Sequence, residues 1–482
     1  MSGIIIVGLG PGDVNLMTRQ AWQVLEQAGE VYLRTGKHPA AQHLPDSVQV
    51  HTFDYLYEQS ESFEQVYETI IAQIMELGDR PQGIIYAVPG HPFVAEATGP
   101  EIARRARQEG IPLRVVEGLS FLEPTLTALG LDPFPQTSLV DALELTQAHV
   151  PPFPTSAPAL IAQLYSREVA ADVKLTLMSF YPDEHPVRLV HSAGTPDEQV
   201  EELALYEIDR SPHTGLLTCL YLPALPEETS FEFFLEVIAH LRAPDGCPWD
   251  RQQTHQTLRA DLLEETYEAL DALDTNDPDA IQEEFGDLLL QIVLQAQIAS
   301  DEGEFTMADV LQGISSKIVR RHPHVFGEER VADAQGVLKN WERLKAEERA
   351  EKNNSEAGLL SGISLALPAL TQAEQYQKRA ARVGFDWPEV QGVLDKVDEE
   401  IQEVLAAQDL EEKAAEIGDL LFAVVNLARW YQVDAESALR EANLRFRERF
   451  GYIERIASEK GRSLSDLSLD EMEALWQEAK RV

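Results

Sequence analysis

The spacing of apolar positions changes once along this chain, and the change divides it. From residue 1 to about 222, short β-branched runs alternate with amphipathic stretches. Runs 3–7, 31–34, 83–88 and 113–116 predict strands, and 18–28, 63–77 and 95–108 predict the helices between them. That alternation is the pattern of a parallel α/β sheet. Prolines at 151, 152, 154 and 158 interrupt it. Beyond them 174–180, 187–191, 203–208 and 216–222 read as strands of a second lobe, so two α/β lobes with a cleft between them are expected.

Residues 223–230 carry Pro223 and Pro226 and show no period. They are read as a linker after a domain of residues 1–222. Everything beyond it has helical spacing, with apolar positions three and four apart through 258–273, 281–298, 393–405, 414–430 and 435–450. A polar stretch at 346–357, rich in Glu, Lys and Asn, separates 231–350 from 359–482. These two segments repeat one another. Glu264-Glu265-x-x-Glu268 precedes Glu284-x-x-Asp287 in the first, and Glu399-Glu400-x-x-Glu403 precedes Glu416-x-x-Asp419 in the second. The sequence therefore predicts an all-α bundle built from a duplicated unit.

The spacing of these carboxylates suggests a chemistry. Residues three apart on a helix share a face, so each repeat presents two acidic pairs, and pairing the helices antiparallel gathers four carboxylates. Like charges at this spacing are mildly destabilising, which argues for a cation among them. Oxygen-only ligands favour Mg²⁺ or Mn²⁺. Gly286 and Gly418 hold matching places beside the acidic pairs. A helix-interior glycine costs about 1 kcal/mol, so close helix packing or access is expected there. Basic pairs follow at Lys317/Arg321 and Arg445/Arg449, and aromatic–basic pairs at Trp341/Lys345 and Trp476/Lys480, each four apart. Such pairs suit phosphate and a nucleobase.

Charge narrows the partners. The 482 residues hold 39 Lys and Arg against 82 Asp and Glu, a net charge of −43, with no basic run. A nucleic-acid polymer or an anionic membrane is repelled, whereas a nucleotide screened by divalent cations is not. The two cysteines, Cys219 and Cys247, have no C-x-x-C partner. Neither a disulfide framework nor a thiolate zinc site is indicated, and a cytoplasmic setting is expected. No basic leader or apolar membrane-spanning window is read.

The helical half resembles a known family. Leu241-Arg-Ala-Pro-Asp-Gly-Cys-Pro-Trp-Asp250, the Glu264/Glu284 block, Arg321-His-Pro-His-Val-Phe-Gly327, Asn340-Trp-Glu-Arg-Leu-Lys345 and Val383-Gly-Phe-Asp-Trp387 are similar to the MazG nucleoside triphosphate pyrophosphohydrolases. The resemblance implies an all-α, Mg²⁺-dependent homodimer or higher homo-oligomer. It implies cleavage of nucleoside triphosphates to the monophosphate and pyrophosphate. It places metal ligands at Glu265, Glu268, Glu284 and Asp287, and at Glu400, Glu403, Glu416 and Asp419. Phosphate and base contacts fall on Lys317, Arg321, Trp341 and Lys345, and on Arg445, Arg449, Trp476 and Lys480. Arg445 stands where the family pattern has lysine. Glu264 and Glu399, adjacent to the ligands, are the candidate general bases.

The first half resembles the tetrapyrrole methylases through Val7-Gly-Leu-Gly-Pro-Gly-Asp13, Ala87-Val-Pro-Gly-His-Pro92 and Val116-Glu-Gly-Leu-Ser120. This implies S-adenosylmethionine held near Leu9, Gly10, Gly12, His91, Val94, Ser120 and Phe121. His91 replaces the aspartate usual in biosynthetic members and leaves methyl transfer open. The alternative functions are a methyltransferase that uses its helical half for oligomerisation, and a metabolite sensor that gates hydrolysis.

Overall fold

The computed structural model describes residues 3–481 apart from 61, 332, 335, 338, 339, 342 and 345–357. It forms two compact units, Met1–Gly246 and Cys247–Val482. The helix Phe231–Arg242 is grouped with the first unit.

The first unit opens with a parallel sheet of β1 (Ile4–Gly8), β2 (Glu30–Leu33), β3 (Gln49–Thr52), β4 (Ile84–Val88) and β5 (Leu113–Val116), ordered β3-β2-β4-β1-β5. Helices cover both faces, so central strands such as Ile4-Ile-Ile-Val-Gly8 read as continuous apolar runs. The strands at 3–7, 31–34, 83–88 and 113–116 are all present. β3 was missed because it is a short edge strand with mostly exposed positions, Gln-Val-His-Thr.

Register brings Gly8 opposite Val88, so β1 and β4 end side by side and their turns meet. Gly10 and Gly90 then exchange backbone hydrogen bonds of 3.2 and 2.8 Å. A Cβ on Gly8 lies 2.6 Å from both Gly118 N and Gly90 O, and one on Gly118 lies 2.4 Å from Gly90 O. These neighbours are backbone atoms that cannot step aside. Gly118→Ala is expected to destabilise this unit by about 1–3 kcal/mol, the cost of overpacking, read from its transition in scanning calorimetry.

A second sheet orders β6 (Ser138–Asp141), β7 (Ala159–Ala162), β8 (Pro186–His191), β9 (Gln199–Ala204) and β10 (Thr218–Leu222) as β6-β7-β10-β8-β9. Only β6 and β7 pair in parallel.

Three expectations fail in this lobe. Residues 174–180 are not a strand. They belong largely to the helix Arg167–Leu177, capped by Ser166, which buries Val169, Ala170, Val173, Thr176 and Leu177. The local alternation around Leu175 and Leu177 masked this longer helical period, and Leu175 points outward at 66% exposure. The run 203–208 ends as a strand at Ala204, after which Leu205–Arg210 coils tightly so that Leu205 and Ile208, three apart, both enter the core. The last strand begins at Thr218 rather than 216.

The second unit is helical among its described residues, and no described helix is long and apolar enough to cross a membrane. Arg259–Thr275 and Pro278–Glu302 form a hairpin across two residues. Asn276 ends the first helix at φ 54°, and Asp277 accepts from Asp279 N (3.1 Å) to start the second, with Pro278 at its first position. The repeat builds the same hairpin from Val390–Ala406 and Leu410–Trp430, started by Asp409. Met307–Arg321 follows the first hairpin, and Ala435–Glu459 and Leu469–Ala479 follow the second. Arg440 reaches back to Asp274 at 2.7 Å and ties the two copies together.

Gly286 and Gly418 do not mark close helix packing. A Cβ at either meets nothing within 4 Å. They lie on an exposed face beside Phe285, Leu289 and Ile292 in one copy and Ile417, Leu421 and Val424 in the other.

Candidate active site

Each hairpin gathers carboxylates because its short turn sets the two acidic segments opposite one another. Oxygens of Glu265, Glu268 and Glu284 lie within 4.8 Å of each other, as do those of Glu400, Glu416 and Asp419. The fourth acid of each set stands at the margin. Asp287 acts electrostatically on Glu265 and Glu284, and Glu403 interacts with Glu400 and Glu416. Glu264 and Glu399 are exposed on the same helices.

Crowding is visible in the electrostatics. Burial first, then the charges of Asp287, Glu268 and Glu284, raise Glu265 above the usual carboxylate range. Burial, Glu268 and Asp287 do the same to Glu284. Glu403 is raised by burial and by Glu400, with Lys396 opposing. Among the described residues, Glu284 Oε2 and Glu400 Oε2 are buried and make no hydrogen bond. A buried, unpaired carboxylate oxygen costs free energy, and its donor chemistry is of the kind that suits a hard cation.

A carboxylate raised by folding binds its proton more tightly in the folded state. Stability therefore falls as pH rises from the unfolded value, 4.5, through the folded one. Metal-free protein carries this penalty once pH exceeds the raised folded values. Thermal scans are expected to show Mg²⁺ raising Tm at pH 7 and raising it less at pH 4, where the raised carboxylates hold their protons.

The copies are not identical. Lys396 lies 2.8 Å from Glu400 and 3.1 Å from Glu399, and these hydrogen bonds hold its ammonium above the usual lysine range. The residue four before Glu265 is Asp261. Lys396 is not among the basic pairs downstream of the carboxylates; its place four before Glu400 is the signal the sequence offers for it.

The basic and aromatic residues assemble unevenly. Arg449 stands over the Trp476 ring at 5.6 Å, and Phe446 packs on the same ring at 5.3 Å. Arg445 instead pairs with Glu441 at 3.2 Å on its own helix. Lys480 is exposed at the end of Leu469–Ala479. In the first copy Lys317 is exposed and Arg321 half-buried, while His322 meets Trp341 edge-on at 5.2 Å. Lys345 lies outside the described residues.

In the first unit, the Gly8–Gly12 turn, the Gly90 turn and the Gly118 turn converge at the carboxyl ends of β1, β4 and β5. Ligands of open α/β sheets bind at such edges. Gly10, Gly12 and Gly90 adopt φ values of 76°, 156° and 65°, which favour glycine. Leu9 is fully buried beneath them. His91 Nδ1 accepts from Phe93 N at 3.1 Å, and Val94 N donates to His91 O. Ser120 donates from N and Oγ to Glu123 at 2.8 and 2.7 Å, and Phe121 leads into Leu122–Leu129. Glu123 was not singled out in the sequence.

Comparison with known proteins agrees with this division. Residues 3–209 match the model of the tetrapyrrole (corrin/porphyrin) methylases, 253–326 that of the MazG nucleotide pyrophosphohydrolase domain, and 365–446 that of phosphoribosyl-ATP pyrophosphohydrolase. The nucleoside triphosphate pyrophosphohydrolase/pyrophosphatase MazG of Thermotoga maritima is 43% identical over 52% of this chain and 95% of its own. The nucleoside triphosphate pyrophosphohydrolase of Escherichia coli (strain K12) is 46% identical over 51% and 95%. YabN of Bacillus subtilis (strain 168) is 44% identical over 99% of this chain and 98% of its own. A methylase-type α/β unit followed by a MazG-type helical unit is the class that fold and sequence define. The chain belongs to the YabN family of such fusions.

Proposed function

We propose that the helical unit is a Mg²⁺-dependent hydrolase that converts nucleoside triphosphates to monophosphates and pyrophosphate. The observation that carries this reading is the pair of gathered carboxylate sets, each with a buried oxygen lacking a hydrogen-bond partner. Its donor chemistry fits a hard divalent cation. Glu265, Glu268, Glu284 and Asp287, and Glu400, Glu403, Glu416 and Asp419, are the residues to hold it. Bound Mg²⁺ neutralises phosphate charge and acidifies water.

The protein's own residues do the rest. Glu264 and Glu399, exposed beside the ligands, take the proton of the attacking water. Lys317 and Arg321, with Arg445 and Arg449, steady the phosphates, and Trp341 and Trp476 offer a ring face to the base. The pairing of Arg445 with Glu441 makes a binding role there conditional on releasing that contact.

The domains are assigned as 1–222, 231–350 and 359–482, with 223–230 as linker, in a cytoplasmic homo-oligomer that binds neither nucleic acid nor membrane. S-adenosylmethionine is the proposed ligand of the glycine cradle at Leu9, Gly10, Gly12, His91, Val94, Ser120 and Phe121. Gly8 and Gly118 let the three turns pack backbone to backbone, since a Cβ on either would meet the neighbouring turns, and this cradle lies at the carboxyl ends of the strands, where such sheets take their ligands.

Incubation with each nucleoside triphosphate and Mg²⁺ is expected to yield monophosphate and pyrophosphate, and chelation to stop it. Methyl transfer from labelled S-adenosylmethionine without pyrophosphate release overturns this reading in favour of a methyltransferase.

A further inference from the structure

His255, Glu302 and Glu304 bring one ring nitrogen and two carboxylate oxygens to within 4.8 Å of one another. This cluster is remote from the acidic set of the same hairpin. Glu284 and Glu302 sit at opposite ends of Pro278–Glu302, about 27 Å apart at 1.5 Å per residue.

The geometry is set from three directions. His255 stands in the turn before Arg259–Thr275. Its Nδ1 meets Gln295 Oε1, an acceptor, so Nδ1 carries the proton and Nε2 keeps a lone pair. Gly303, at φ 73°, ends the long helix between Glu302 and Glu304 and turns both acids toward the ring.

Nε2 is shut off from solvent and makes no hydrogen bond, and Glu304 Oε2 stands 3.8 Å from it. That distance is too long for a hydrogen bond. It suits two ligands of one ion, since atoms each about 2.0–2.1 Å from a zinc lie roughly 3.3–4 Å apart. A lone pair facing carboxylates is repulsive, and a divalent cation between them turns repulsion into binding.

We propose that His255, Glu302 and Glu304 form a zinc site. Imidazole with two carboxylates suits Zn²⁺ better than Mg²⁺, which prefers oxygen alone. A fourth position is left for water. Gln295 is the outer partner that fixes the ring. The site joins the turn before one helix to the end of its neighbour, so its effect is to lock the open end of the hairpin.

The test uses the full chain, stripped of metal and then held in millimolar Mg²⁺ to fill the acidic sets, with Zn²⁺ alone titrated. Wild type is expected to retain one more zinc per chain than His255→Ala, and one more than the double variant Glu302→Gln/Glu304→Gln. Zinc is expected to raise the Tm of wild type only, and each variant to lose at least about 100-fold in zinc affinity. Equal zinc content in wild type and variants overturns the proposal, as does failure of wild type to bind zinc; direct contact of His255 with Glu304 then accounts for the cluster. Should His255→Ala not fold, the double variant decides alone, because it leaves the His255–Gln295 contact in place. Mg²⁺-dependent pyrophosphate release, assayed in the same samples, reports on the hydrolase reading separately.

Discussion

Changing Glu265 and Glu400 together to Gln is expected to lower Mg²⁺-dependent release of pyrophosphate by at least about 10³-fold. Both residues sit inside their carboxylate sets, Glu265 half-buried and Glu400 buried. Glutamine keeps volume and hydrogen bonding but removes the charge that holds the cation. Folding should survive, since the change also removes like-charge repulsion from Asp287, Glu268 and Glu284 in the first copy. Circular dichroism checks the fold and a pyrophosphate assay reads the loss. Turnover that persists in the folded double variant rejects these sets as the catalytic centre. The single variants apportion activity between the copies, which differ in charge through Lys396 and Asp261.

The second large effect lies in the first unit. Arg34, just beyond β2, pairs with Glu96 at 2.8 Å; the Glu96 side chain is 1% exposed and that of Arg34 19%. The other Glu96 oxygen accepts from Thr98 N at 2.9 Å and from Thr98 Oγ1 at 2.5 Å, and Tyr86 OH shares Thr98 Oγ1 at 2.8 Å. Glu96→Ala leaves a guanidinium and a backbone N–H buried without an acceptor. Breaking a buried pair from one side costs about 3–5 kcal/mol. Scanning calorimetry is expected to show the transition of this unit lowered by roughly 6–15 °C. Glu96→Gln, which keeps an acceptor for Thr98, should lose distinctly less. A Tm within about 1 °C of wild type for Glu96→Ala would mean that water already reaches Arg34.

These two sites differ in how plainly they were written in the sequence. The acidic sets were legible because a helix imposes its period locally: Glu265 and Glu268 share a face in any helix, and duplication removed chance as an explanation. Glu96, Arg34 and Thr98 showed nothing, because their network joins the end of β2 to the start of the helix Thr98–Glu109, far apart in sequence. The same distinction explains the second lobe, where Leu175 and Leu177 look like a strand until the buried set Val169, Val173 and Leu177 is seen against its sheet.

By itself, the sequence determined what depends on near neighbours: the parallel first sheet, the helical second unit, its duplication, and which carboxylates share a helix face. Tertiary structure alone decided which of those carboxylates meet, that Lys396 joins one set, that Gly286 and Gly418 face outward, and that His255 reaches Glu302 and Glu304. The physical reason is range. Backbone periodicity acts over one or two turns, whereas a site needs side chains from separate elements, and their approach is set by how the whole apolar surface is buried.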